Sequence, residues 1–230
     1  MDLIEGGIEH PIKHWYYSHK FWFIKKVFMP RSENPRKLID IGAGSALFSS
    51  ELLRLKLVDS VVAVDTGYEE DYADSASGIE FRRHSDFQGF TDYLLTDVLE
   101  HVENDLLFLS EIAYEAPSNS QFVITVPALM SLWSNHDVFL KHYRRYTRKE
   151  LEDLVRKSGL TVDSCRYTYG TVFPLAYLQR RLTRKDASQS QLKENGRLIS
   201  SLLKIGLLPD KWINHLPFGV SLFLVARKCS

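Results

Sequence analysis

Cysteine is scarce in this chain. Cys165 and Cys229 are the only two among 230 residues, too few for the disulfide framework that stabilises small secreted domains. No stretch of 18 consecutive apolar residues occurs, so no membrane-spanning helix is expected. The opening residues lack the basic-then-apolar pattern of a secretion signal, and a cytoplasmic protein is the expectation. Net charge is missing as well: Lys+Arg and Asp+Glu number 29 each, which leaves no global field to attract nucleic acid or an anionic membrane. Internal repeats and low-complexity tracts are absent. What is present is 44% hydrophobic residues, ample for one core, in a length that suits a single α/β domain spanning 1–230.

The most informative stretch runs from Lys37 to Leu53. Leu38, Ile39 and Ile41 make the short apolar run of a fully buried parallel strand. Gly42 and Gly44 permit a tight turn and a close approach of backbone to a ligand. From Ser45 the spacing turns helical, with Leu47, Phe48, Leu52 and Leu55 on one face. Strand, glycine turn and helix start together read as the first unit of a nucleotide-binding α/β fold. Asp40 stands inside the strand, and Asp65 ends the next apolar run, Val61–Val64, where a carboxylate grips ribose hydroxyls. Leu47 occupies the third position of G-x-G-x-x-G, which with Asp40 counts against a nicotinamide-dependent oxidoreductase.

This stretch resembles motif I of the class I S-adenosylmethionine (SAM)-dependent methyltransferases, D/E-x-G-x-G-x-G, with Ala46 in the last glycine position. A second stretch, Asp97-Val98-Leu99-Glu100-His101-Val102, is similar to the segment after the fourth strand of the ubiquinone-biosynthesis-like methyltransferases. The resemblance implies a Rossmann-like doubly wound sheet of about seven strands, the last antiparallel. It implies SAM as cofactor, held by Asp40, Gly42, Ala43, Gly44, Ser45, Asp65, Thr66, Asp86, Phe87, Asp97, Val98 and His101. Asp86 would meet the adenine amino group, although a solvated loop aspartate reads equally well there.

Residues 1–36 read as an N-terminal cap helix and linker. His10–Phe28 is unusually aromatic, with helical spacing of Trp15, Ser18 and Trp22 after Pro11. The helix would pack on the sheet, and its aromatic faces could also attract a sulfonium cation. His14-Trp15-Tyr16-Tyr17 resembles the opening of one methyltransferase subgroup, with Lys20 near that subgroup's arginine, which makes Tyr17 a cofactor candidate.

Phe122–Val126 reads as a fifth strand, and the long segment after it is rich in groups that move protons or bind anions. Pro127 through Leu132-Trp133-Ser134-Asn135-His136-Asp137, followed by His142-Tyr143-Arg144-Arg145-Tyr146-Thr147, resembles a bacterial subgroup of class I enzymes and implies the reaction type without the substrate. His136 is the favoured general base, with Asp137 its neighbour in sequence. His142 is the alternative, and Arg144 or Arg145 would anchor the acceptor. His136, Asp137 and His142 have metal-ligand chemistry, but nothing in their spacing demands an ion and none is expected. Thr147-Arg148-Lys149-Glu150 is a capping box that opens a helix to Lys157. Residues 172–215 read as a helical insertion before the last strand: a lid, extra packing, or a membrane contact through 172–208.

The reading is thus a methyltransferase acting on oxygen or nitrogen of a small-molecule acceptor, without nucleic acid. The oxidoreductase and a non-catalytic membrane-peripheral protein remain as alternatives, and the oligomeric state is not legible.

Overall fold

A computed structural model describes residues 11–29, 33–182, 203–213 and 216–229. Eight strands form one sheet: β1 (Lys37–Ile41), β2 (Ser60–Val64), β3 (Tyr72–Asp74), β4 (Ile79–Arg82), β5 (Asp92–Thr96), β6 (Gln121–Pro127), β7 (Leu160–Thr168) and β8 (Ser221–Lys228). Their order is β3-β4-β2-β1-β5-β6-β8-β7. The central five strands are parallel. β8 runs antiparallel to both β6 and β7, with Ile124 opposite Leu224. The expected antiparallel last strand is therefore present.

The eighth strand is the difference from expectation. Residues 68–77 read as a short helix or loop, whereas Tyr72–Asp74 pairs antiparallel with β4. Three residues are too few to display a period. The pairing is supported by stacking of Tyr72 on Phe81 across the strands, centroids 4.6 Å apart.

Alternate residues of β1 enter two cores. Ile39 and Ile41 join Tyr93, Leu95, Ile124 and Leu224 on the face covered by α3 (Asp105–Glu115) and α5 (Arg148–Lys157). Leu38 faces the opposite layer with Ala63, Leu94 and Val123, beneath α1 (Trp15–Phe28) and α2 (Leu47–Arg54). Period-2 alternation thus directs Asp40 toward α2. Helix α1 buries Tyr17, Lys20, Ile24 and Phe28 on one side, at spacings of three and four residues. Its N-cap, His14, accepts from the Tyr16 amide.

Short helix α4 (Asn135–Phe139) follows β6, and α6 (Phe173–Leu182) and α7 (Leu208–Trp212) lie between β7 and β8. Of the helical insertion expected over 172–215, residues 183–202 and 214–215 fall outside the described residues. The capping box at α5 is present in both halves: Glu150 N–H donates to Thr147 Oγ1 at 3.3 Å, and Thr147 N–H donates to the Glu150 carboxylate at 2.7 Å. No described helix is long and apolar enough to cross a membrane.

Candidate active site

The glycine turn sits at the carboxyl edge of β1, where parallel sheets of this kind bind ligands. Gly42 has φ of +66°, and a Cβ there would stand 2.7 Å from Val98 Cγ2. Val98 therefore closes the underside of the loop, and only glycine fits against it. Ala46 also adopts left-handed backbone, φ +52°, which explains why the motif it departs from carries glycine at that point. The helix consequently begins at Leu47, two residues after the expected start at Ser45.

Asp40 is 2% exposed. Its Oδ2 accepts from Ser49 Oγ at 2.6 Å, while Oδ1 has no hydrogen-bond partner among the described residues. Burial pushes its carboxyl up to about 6, against a lowering by the Ser49 bond, and the nearby charge of Asp65 adds to the rise. Asp65 ends β2 as expected. Its two oxygens accept the amides of Gly44 and Gly67, each at 2.8 Å, which ties the glycine turn to the β2 loop. Tyr68 Oη donates to the Gly44 carbonyl at 2.7 Å. Ala43 is buried, while Ser45 and Thr66 are exposed along the same rim. Asp86 is exposed, and the Phe87 amide donates to Glu115.

Asp97 adopts left-handed backbone, φ +58°, at the end of β5. Its carboxylate pairs with Lys20 of α1 and accepts from Thr125 Oγ1 at 3.0 Å. Burial disfavours both charges. Asp97 more than offsets this for Lys20, which titrates above the usual lysine range, and Lys20 holds Asp97 below the usual carboxylate range. Tyr17, one helical turn from Lys20, is buried against Phe48 of α2.

Beyond Asp97 lies a second group of side chains. Glu100 is fully buried, and neither carboxyl oxygen has a hydrogen-bond partner among the other described residues. Burial, followed by the charge of Asp97, raises its carboxyl well above the ordinary value, with its own backbone amide, Lys20 and Arg145 opposing. Tyr143 N–H donates to the Glu100 carbonyl at 2.7 Å, which draws the 127–146 segment over this turn. As a result the His101 and His142 rings meet edge to face at 4.6 Å.

Asp137 organises that segment. It is fully buried, and its Oδ2 accepts from the Ser134 amide at 2.8 Å as the cap of α4. Oδ1 lies 3.0 Å from His142 Nδ1 and accepts from Arg145 Nε at 2.7 Å. Burial opposes its ionisation, but the His142 and Arg145 contacts prevail and hold it well below the usual range. The imidazole seen on the Asp137 carboxylate is therefore that of His142, five residues further on. Both arginines are also occupied. Arg145 is 5% exposed and donates to the Ala128 carbonyl, and Arg144 pairs with Asp105 at 2.9 Å. Arg144 also donates to the Glu103 carbonyl at 2.6 Å, so both guanidinium groups make contacts at this segment.

Sequence reasoning noted Lys20 only by likeness to a subgroup's arginine and gave Glu100 no role, although it lies inside the quoted Asp97–Val102 segment. Ser49 carried no signal, since its value comes from standing beside Asp40. A cavity of about 300 Å³ opens elsewhere, between α1 and 203–212, on Trp15, His19, Lys204 and Lys211. Of the quoted motif residues, only Trp15 lines it; none comes from the glycine turn or from Asp97–Val102.

A glycine turn closed from below by Val98, a buried acceptor at Asp40 and a carboxylate at the end of β2 fit a nucleoside that carries an ammonium group and ribose hydroxyls. The order of strands, with an antiparallel strand between β6 and β7, is that of the class I methyltransferase fold. The chain belongs to the methyltransferase-domain family, whose profile matches residues 14–165.

Solved structures agree on the fold. A SAM-dependent methyltransferase from Archaeoglobus fulgidus aligns with a TM-score of 0.54 at 14% identity, covering 93% of this chain and 96% of that one. Phosphoethanolamine N-methyltransferase 2 of Haemonchus contortus, solved with SAM, aligns at 0.56 and 15% identity over 92% of this chain and 52% of its own. The mitomycin 7-O-methyltransferase MmcR aligns at 0.51 and 12% identity, over 93% and 55%. No curated protein sequence matches the chain.

Proposed function

We propose that this enzyme methylates an oxygen or nitrogen of a small-molecule acceptor, and that His142, oriented by Asp137, removes the acceptor's proton. The observation that carries the reading is the single Asp137 carboxylate shared by His142 and Arg145. A carboxylate on Nδ1 fixes ring orientation and favours Nε2 as the basic nitrogen.

SAM, when bound, supplies a methyl group already activated by a sulfonium. This chain's residues have to hold it, keep water out and align the acceptor. Asp40 and Asp65 would hold the ammonium and ribose ends, with Gly42, Ala43, Gly44, Ser45 and Thr66 providing backbone around the turn. Asp86 and Phe87 would border the adenine, and Tyr17, Asp97, Val98 and His101 the methionine end. α1 covers this edge, anchored by Lys20 on Asp97. α6, with Leu175 and Leu178 exposed, suits a cover over the acceptor better than a membrane contact, because Phe173 at its start is packed on Phe218.

The test is binding followed by turnover. SAM and its demethylated product should raise the melting temperature by several degrees at 100 times their dissociation constants, equivalent to about 2.7 kcal/mol, and NAD should not. Acceptor pools incubated with isotopically labelled SAM are then scanned for methylated products. A shift by NAD and none by SAM would overturn the cofactor reading.

A further inference from the structure

We propose that Glu100, His101 and His142 form a site for one divalent transition-metal ion, of the chemistry that zinc occupies, on the acceptor side of the cofactor turn. The location of the acceptor rests on the proposed function; the ion site does not. One ligand atom from each of the three residues lies within 4.8 Å of the others. Carboxylate oxygen and imidazole nitrogen bound to one zinc stand about 2.0–2.2 Å from it, hence at most about 4.4 Å from each other. Small side-chain rotations close the set.

Three independent features favour an ion over simple packing. Glu100 is a fully buried carboxyl that receives no hydrogen bond from any other described residue, and a buried carboxylate needs a proton or a cation beside it. The neighbouring cations are committed elsewhere, Lys20 to Asp97 and Arg145 to Asp137. His142 is already provided with what ligating histidines use: Asp137 on Nδ1, itself fixed by Arg145 and the Ser134 amide. Such a partner orients the ring and leaves Nε2 for the metal.

Two imidazoles and one carboxylate make a three-ligand set, which leaves a coordination position open. The substrate class that uses it is a hydroxylated acceptor. An acceptor hydroxyl bound there becomes more acidic and loses its proton to solvent water before it receives the methyl group. The base role of His142 in the proposed function is that of the metal-free enzyme; with the ion bound, its Nε2 is a ligand and solvent water takes the proton.

The full-length chain, stripped with a chelator and dialysed, is titrated with Zn2+ by calorimetry, and with Co2+ by visible absorption as a report on nitrogen and oxygen ligation. One equivalent should bind, and Glu100→Gln and His101→Gln should each weaken binding at least about tenfold, with SAM affinity retained. His101 is only partly buried, so its variant serves if Glu100→Gln does not fold. No stoichiometric binding, or binding equal in the wild type and His101→Gln, overturns the metal site. Chelated enzyme that methylates at the full rate does so too, and leaves the His142 base intact. Stoichiometric metal without methylation of any acceptor supports the site and counts against the proposed function.

Discussion

Lys20 and Asp97, 77 positions apart, form an ion pair that fastens the N-terminal helix across the end of β5. The lysine side chain is 3% exposed and that of Asp97 36%. One side chain is therefore almost fully desolvated while the other keeps partial contact with solvent. The pair ties α1 to the end of β5, and on the proposed function it would couple stability to cofactor binding.

Removing the lysine should expose that coupling. Lys20→Met leaves the Asp97 carboxylate without its cation at a low-dielectric edge. The expected loss is about 2–3 kcal/mol, below that of a fully buried pair because Asp97 is partly hydrated. Urea denaturation checks it. The variant's SAM affinity should also fall, and undiminished stability would make the pair incidental.

Asp40 should place a trade-off between stability and binding on the pH scale. Its folded carboxyl titrates near 6, above the ordinary 3.8, mainly through burial. Between those values the folded state binds more protons than the unfolded state, so stability of the free protein falls as pH rises from about 4 to about 6. The loss is on the order of 2–3 kcal/mol. Asp40→Asn should flatten this dependence and stabilise the free protein at pH 7. SAM affinity in the wild type should rise through pH 6 and be at least about tenfold weaker in the variant. Denaturant midpoints at pH 5 and 7.5, with calorimetry, decide it.

Asp65→Ala should weaken SAM binding at least about tenfold, by loss of a charged acceptor for ribose hydroxyls. Its stability effect is set by the Gly44 and Gly67 amides that its carboxylate receives. About 1–2 kcal/mol should be lost even without ligand. A variant of unchanged affinity would reduce Asp65 to a loop clasp.

The two histidines should separate kinetically. His142→Gln should lower kcat about 10²–10⁴-fold with SAM affinity retained. His136→Gln should cost less than about tenfold, because the Asp137 carboxylate that orients a base contacts His142. A larger loss at His136 would restore it as the base.

What the sequence determined by itself was local or periodic. The apolar run Leu38, Ile39 and Ile41 marked β1 as a buried strand, and Gly42 and Gly44 marked the turn. Asp65 could be assigned from the end of an apolar run, and Thr147 with Glu150 specified a helix start, because a cap acts over three residues. Only the tertiary structure decided which distant groups meet. Consecutive residues on a helix project about 100° apart, so His136 and Asp137 on α4 diverge. The chain must turn back after α4 before His142 and Arg145 reach the same carboxylate. Burial of Glu100 and the seating of Lys20 on Asp97 likewise depend on two segments folding over the end of β5. No spacing in the sequence encodes that, since the contacts arise from packing of the whole sheet edge.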